Sequence, residues 1–334
     1  MKVTALLSTF NNEKYINQTI DSVLSQSYED FEFIIVNDGS TDATKELIQQ
    51  YKDDRIRLIN LPDNVGIARA LNMGIQYCQG KYVIKIDGDD IQHPDRFYHQ
   101  IKFMEENPEL SLSKCKFEYF PDNKEIENSL RFANLIRYNQ FHKNFPSDSQ
   151  EISKWIKLYC CIVHSAMIIK TDVLKRYMYR DFVVGEDYDL FLRLDQEGHL
   201  MGHLEECLLR VRVSDRSITA NFSADFFNII GYQIKQPALE KFKQNQNIYI
   251  WGTGNYGREL INLLESKDWK IDGFIDSFIK EDTKLNDKPI INPEMLRNQN
   301  QIKIIIASST GFFEIIDFLE NIGYVSGEDF TMIR

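Results

Sequence analysis

Three carboxylates, Asp87, Asp89 and Asp90, surround one glycine in "KIDGDDIQHPDR", directly after the apolar run Tyr82-Val83-Ile84. Carboxylate oxygens are hard ligands, so an Asp-x-Asp pair at a strand end can hold a divalent cation against a phosphate. The same residues can also serve only as a polar turn. A second acidic pair, Glu186-Asp187, opens "GEDYDLFLRL". One of these carboxylates can take a proton from an incoming hydroxyl, or both can simply favour the positive end of a helix dipole. Further along, "WGTGNYGRE" sets Gly252, Gly254 and Gly257 between an apolar run and a helical pattern, with Asp276 downstream. That spacing fits a dinucleotide-binding fingerprint, and tight helix-on-strand packing would use the same glycines.

These groups need elements to position them. "VTALLS", "FEFIIVND" and "KYVIKIDG" are short runs rich in β-branched and aromatic residues, separated by amphipathic patterns such as "EKYINQTIDSVLSQ" and "STDATKELIQQY". The alternation predicts βαβαβ with a parallel sheet. In such sheets ligands sit beyond the carboxyl ends of the strands. There stand Ser8-Thr9-Phe10-Asn11-Asn12-Glu13, Asn37-Asp38-Gly39-Ser40 and the Asp87 to Asp90 loop. Residues 105 to 160 lose the pattern and are expected to be an insertion of helices and loops, after which "CIVHSAMIIK", the helix "GEDYDLFLRLDQEG" and the strand-like "CLLRVRVSD" restore it. A second β-α-β alternation comes next in "NIYIWGTGNYGRELINLLES", "KIDGFIDS" and "KIIIASST". The chain therefore reads as α/β in two different domains, 1–222 and 246–334, joined by a connecting segment over 223–245.

The blocks "STFNNEKYINQTIDSVLSQSYEDFEFIIVNDGSTDAT", "NVGIARALNMGIQYCQGKYVIKIDGDD" and "VGEDYDLFLRL", in this order and spacing, resemble the inverting glycosyltransferases of family 2, which have the GT-A fold. The resemblance spans residues 3 to 220. It implies that Thr9, Asn11, Glu13 and Asp38 hold the nucleobase, where the Asp38 carboxylate suits the imide N–H of uracil; an Asx-turn is the other use of Asp38. Arg69 matches a position near the base and phosphates, although an exposed helix cation would read the same way. The resemblance further implies that Asp89 binds Mn²⁺ or Mg²⁺, with Asp87 turned towards the ribose or a metal-held water. Asp187 is then the base and Glu186 its supporting carboxylate. Asp90 could cap the next segment, and His164, beside an apolar run, reads as structural. One departure is Ser214 in "VRVSDRSIT", where family members commonly carry a metal-binding His. A hydroxyl is a poor substitute for an imidazole, so a sparsely coordinated ion is expected, with Asp215 as a neighbouring carboxylate. The C-terminal domain resembles the small Rossmann-like modules of bacterial sugar-modifying enzymes, which leaves a nucleotide there open.

Composition narrows the partners. The 334-residue chain carries a formal charge of −11 and shows no basic cluster, which excludes a nucleic-acid binder. Five scattered cysteines without a Cys-x-x-Cys pair read as reduced thiols. The apolar start is too short for a signal peptide, and no stretch has the length of a membrane span. The expectation is a cytoplasmic enzyme, compatible with peripheral contact at the inner membrane face. It would take a sugar from a UDP-linked donor to a glycan or lipid-linked acceptor in cell-surface polysaccharide synthesis, and could form homo-oligomers through the C-terminal domain. The alternatives are an NAD-dependent oxidoreductase or nucleotide-sugar-modifying enzyme centred on that domain, and a non-catalytic nucleotide-sugar-binding scaffold.

Overall fold

The computed structural model describes residues 3–215, 224–278, 283–298, 302–308 and 311–333. It divides into two compact units, Met1–Ile156 with Cys160–Ser217, and Lys157–Tyr159 with Ile218–Arg334. The expected boundary at 222/223 and the end of the "VRVSDRSIT" block lie outside the described residues.

In the first unit, parallel strands β1 (Val3–Thr9), β2 (Phe31–Asn37), β3 (Ile56–Asn60) and β4 (Tyr82–Asp87) alternate with helices α1 (Ile16–Leu24), α2 (Thr44–Gln50) and α3 (Ile67–Ile75). The alternation of apolar residues builds this half. Ala5, Leu7, Phe33, Ile35, Ile84 and Ile86 face one core with Ile16, Ile20 and Val23 of α1, all fully buried. The first helix begins at Ile16 and not at Glu13, because Tyr15 and Ile16 both donate backbone N–H bonds to the Asn12 carbonyl and spend residues 12–15 on a turn. The register sets Thr9 beside Asn37, Asn37 beside Asn60, and Ser8 beside Asp87, so the polar strand ends line up along one sheet edge.

After β5 (Ile91–Gln92) and α4 (Arg96–Glu106), the expected helix-and-loop insertion opens on a strand of twelve residues, β6 (Leu110–Pro121). Its Lys116 and Glu118 alternate with buried Cys115 and Phe117, a period of two that the surrounding charges obscure. Helical segments then run through α5 (Lys124–Glu127), α6 (Leu130–Asn134), α7 (Phe141–Asn144) and α8 (Ser149–Ile156). They lead to β7 (Met167–Lys170), α9 (Thr171–Tyr177), α10 (Glu186–Gln196) and β8 (Leu200–Val213). The sheet order is β3-β2-β1-β4-β7-β6-β8-β5, with β7 antiparallel to both β4 and β6.

The second unit is a smaller α/β structure. Residues 223–245, expected as a connector, instead carry the 20-residue helix α11 (Ala224–Lys243). Its Tyr232, Leu239 and Phe242 are buried in this unit's own core with Ile250, Leu260, Trp269 and Phe274, so the segment is part of the domain. Strand β9 (Ile248–Trp251), α12 (Asn255–Glu265) and β10 (Gly273–Ile275) are followed by β11 (Lys284–Leu285), β12 (Lys288–Ile291), β13 (Lys303–Ile306), α13 (Phe312–Asn321) and β14 (Phe330–Met332). Strands β12, β10, β9, β13 and β14 are parallel in that order, with β11 antiparallel at the edge. Among the described residues no helix is long and apolar enough to cross a membrane, and all five cysteines are free thiols.

Candidate active site

At the carboxyl end of β4 the backbone turns at Gly88. A side chain there would meet Asn12 Nδ2 at 2.4 Å and Thr9 Oγ1 at 3.0 Å, so polar side chains of the β1 loop pack directly against the Asp loop at this glycine. Thr9 Oγ1 is buried and has no hydrogen-bond partner among the described residues. Asn11 and Glu13 reach across to the next loop. Asn11 Oδ1 accepts from the Thr41 backbone N–H at 2.8 Å, and Glu13 Oε2 from that of Ala43 at 3.0 Å. Both side chains thus knit the β1 loop to the start of α2.

Asp38 is buried, and its two oxygens accept the backbone N–H groups of Val65 at 2.8 Å and Gly66 at 3.0 Å. The carboxylate fixes the loop before α3, and each oxygen keeps a second lone pair for a ligand. Next to it Gly39 has φ +66° and would place a Cβ 2.4 Å from the Asp63 carbonyl carbon. Gly39→Ala is therefore expected to lower stability in urea unfolding by at least about 1–2 kcal/mol. Arg69 lies on the surface and pairs with Asp181 through Nε at 2.8 Å and through Nη2. Arg69 is thus held at the segment leading into α10.

The three Asp side chains differ in their partners. Lys85, fully buried in β4, donates to the Ile86 carbonyl at 2.7 Å and to Asp87 Oδ1. A buried ammonium is costly unless paired, and the pairing acts back on Asp87. Burial opposes ionisation of Asp87, but Lys85, His164 and Arg96 outweigh it and hold its carboxyl below the ordinary value. For Asp89, burial and then the Asp87 charge push the carboxyl up to about 6. Asp90 is a structural pin. Its oxygens accept from Ser165 Oγ at 2.6 Å and the Arg212 backbone N–H at 3.0 Å, and its carbonyl accepts from Thr19 Oγ1 at 2.9 Å. It ties β8, the turn before β7 and α1 to the Asp loop.

The second acidic pair is anchored by α10. Gly185, with φ +85°, starts the helix. Asp189 holds Arg193 at 2.8 Å, and Arg193 donates to the carbonyls of Tyr177 at 2.9 Å and Met178 at 2.7 Å. Tyr188 OH donates to the Ile156 carbonyl at 2.9 Å. These bonds fix the first turn, where Glu186 is buried and Asp187 half-buried. Burial, then the Asp187 charge, pushes Glu186 up to about 8. His164 comes into the site as well: Nε2 lies 2.7 Å from Tyr179 OH and Nδ1 lies 3.6 Å from Glu186 Oε1. The fields of Lys85 and Asp87 both bear on His164 and Glu186, so the Asp loop and the α10 pair share one electrostatic neighbourhood around the buried lysine.

Because the folded-state pKa of Glu186 is raised, the folded protein binds more protons than the unfolded chain between the ordinary carboxyl range and about pH 8. Stability therefore falls as pH rises through that window. The Glu186→Gln variant should melt close to wild type near pH 5 and above it near pH 8.5, as thermal scans would show.

Ser214, at the position where the family pattern has an imidazole, is buried at the end of β8, its carbonyl accepting from Arg131 at 3.2 Å, and Asp215 is exposed. Among the described residues no three His, Cys, Asp or Glu side chains are grouped to hold a metal unaided. The hard oxygens of Asp89 nevertheless suit a divalent ion, whose charge would offset the burial and repulsion that raise this carboxyl. In the second unit, the glycine loop is shaped by packing at two positions. A Cβ on Gly252 would meet the Ala307 carbonyl oxygen at 2.5 Å, and one on Gly257 the Gly252 oxygen at 2.0 Å. A Cβ on Gly254 would meet nothing within 4 Å. Thr253 Oγ1 donates to Asp276 Oδ2 at 2.5 Å.

An Asp-x-Asp strand end facing an acidic helix start, on a mixed sheet of this order, defines a GT-A type transferase. The chain belongs to glycosyl transferase family 2, whose profile matches residues 4–177. A C2185-like N-terminal domain profile matches residues 244–328. The uncharacterized glycosyltransferase MJ1057 of Methanocaldococcus jannaschii is 32% identical over 254 residues, covering 75% of this chain and 83% of that protein. The putative teichuronic acid biosynthesis glycosyltransferase TuaG of Bacillus subtilis is 27% identical over 227 residues, covering 66% and 82%. Among solved structures, S. aureus TarS residues 1–349 with UDP-GlcNAc superposes with a TM-score of 0.54 at 17% identity, covering 72% of this chain and 67% of that one. The mannosyltransferase PcManGT of Pyrobaculum calidifontis, in complex with GDP-Man and Mn²⁺, gives 0.54 at 17% identity, covering 73% and 65%. These two likenesses establish the fold.

Proposed function

We propose that the first unit transfers a sugar from a UDP-linked donor to a hydroxyl of a glycan or lipid-linked acceptor, with inversion, in cell-surface polysaccharide synthesis. The observation that carries this reading is the shared neighbourhood of the Asp loop and the Glu186-Asp187 pair around Lys85. The UDP-GlcNAc bound by TarS, the GDP-Man and Mn²⁺ bound by PcManGT, and the teichuronic acid setting of TuaG support it by likeness.

Thr9 and Asp38 receive the nucleobase, while Asn11 and Glu13 shape its pocket by joining the two loops. Arg69 would reach the phosphates by exchanging Asp181 for them. Asp89 would hold Mn²⁺ or Mg²⁺, with the donor diphosphate and water completing its shell. The ion, when bound, stabilises charge on the departing diphosphate. Asp187 takes the proton of the acceptor hydroxyl as its oxygen bonds to the anomeric carbon and the bond to the diphosphate breaks. Attack opposite the leaving group inverts the centre. In the second unit Gly254 leaves room beside Thr253 and Asp276 for a nucleotide, and assembly of copies through this unit belongs to the same reading.

The test is release of nucleoside diphosphate from a panel of UDP-GlcNAc, UDP-glucose, UDP-galactose and GDP-mannose with and without Mn²⁺. Mn²⁺-dependent release of UDP is expected. Release of GDP alone would overturn the donor assignment, and nicotinamide turnover without any release would overturn the reaction class.

A further inference from the structure

The proposed transfer uses Asp187 and leaves His164 and Tyr179 without a task, yet both are buried in the site and in contact with it. Tyr179 is fixed from two sides: its backbone N–H donates to Asn72 Oδ1 at 2.9 Å, and its carbonyl accepts from Asn72 Nδ2 at 2.8 Å. Its hydroxyl meets His164 Nε2 at 2.7 Å, and the other ring nitrogen points at Glu186 Oε1 across 3.6 Å. The imidazole is also held edge-on against Tyr179 and Phe191, with centroids 5.3 and 6.3 Å away. Three side chains thus form a line that ends beside Asp187.

We propose that Tyr179 and His164 are positioning residues that couple to Glu186, the ring tautomer of His164 following the proton on that carboxyl once the 3.6 Å gap between Nδ1 and Oε1 closes to hydrogen-bond distance. With Glu186 neutral, its O–H donates to Nδ1 and the ring's Nε2–H donates to the Tyr179 oxygen. When Glu186 loses its proton to solvent, Nδ1–H donates to the carboxylate and Tyr179 O–H donates to Nε2. One proton leaves, and one ring proton moves from Nε2 to Nδ1. The imidazole stays neutral in both states, and burial followed by the Lys85 charge holds its pKa down to about 4. The other charges bearing on this line are Asp187 from α10 and Asp87 from β4, both of which favour a proton on His164 and on Glu186. The consequence, resting on the reading of Asp187 as the base, is that below about pH 8 Glu186 stands beside that base as a neutral group. Glu186 is then a hydrogen-bond donor of fixed direction.

The line can be read without turnover by ¹⁵N NMR of histidine-labelled protein, with His164 assigned through His164→Gln. The two His164 nitrogen signals should exchange character between pH 6 and 9 with a midpoint of about 8, and the change should vanish in Glu186→Gln. Tyr179→Phe should alter the tautomer balance, and its melting temperature should fall because the buried His164 Nε2 loses its partner. Nitrogen signals that do not move over that range, or that move equally in Glu186→Gln, would overturn the coupling. If Asp187→Asn retains wild-type transfer while the His164 titration is present, the assignment of the base falls and the coupling stands.

Discussion

Replacing Asp187 by Asn will lower sugar transfer by about 10²- to 10⁴-fold, the usual contribution of a positioned general base, with the affinity for UDP and Mn²⁺ unchanged. The geometry sets this expectation. Asp187 stands in the first turn of α10, which Asp189, Arg193 and Tyr188 lock to neighbouring backbone, so an amide fits with little disturbance. Burial by itself still disfavours the ionised form of Glu186 once the Asp187 charge is gone, which makes Glu186 a poor replacement base. A coupled assay of UDP release, with calorimetry of UDP binding alongside, separates the two effects. Full activity in this variant would remove Asp187 as the base, and lost UDP binding would recast it as a donor ligand.

The second large effect is expected at Asp89. With Asp89→Asn, activity at saturating Mn²⁺ should fall on the order of 100-fold or more, the scale of losing one stabiliser of developing charge. UDP affinity should become insensitive to Mn²⁺, whereas binding without metal should match wild type. Asp90 offers the contrast. Asp90→Ala leaves the buried Ser165 hydroxyl and Arg212 N–H without their acceptor, each at about 1–3 kcal/mol, so it should lower the melting temperature before it changes metal dependence. Equal loss of stability in both variants would mean that the loop acts as one structural unit.

The parallel half of the fold is legible in the sequence because its strands are nearly continuous apolar runs and its chemistry sits at their ends. Asp38, Asp87 and Asp89 can be singled out by that position, and Asp187 by its place at the acidic start of the helical pattern "GEDYDLFLRL". β6 is hidden because charged Lys116 and Glu118 share the strand with Cys115 and Phe117, and α11 because its apolar face is spread over twenty residues with Pro237 inside. Lys85 does carry a signal, a lysine inside the run Tyr82 to Ile86 whose alternate residues face the core. His164 reads as structural in the sequence since its partners, Tyr179 and Glu186, come from distant segments that only the fold unites. Asn11 and Glu13 match a nucleobase-binding pattern, and their backbone tethers to 41 and 43 appear only when the two loops are adjacent. The glycine loop at 252–257 satisfies its packing needs at Gly252 and Gly257, a distinction that spacing alone does not carry.

The central claim is that Asp187 acts opposite a nucleoside diphosphate leaving group held at Asp89, and the stereochemistry of the product tests it most directly. An α-linked UDP-sugar with Mn²⁺, followed by ¹H NMR as the transferred sugar first appears on an acceptor or water, should give the β-anomer with wild-type protein, formed at least about 100-fold more slowly with Asp187→Asn. A first-formed α-anomer, or a β-product formed equally well without Asp187, would contradict it.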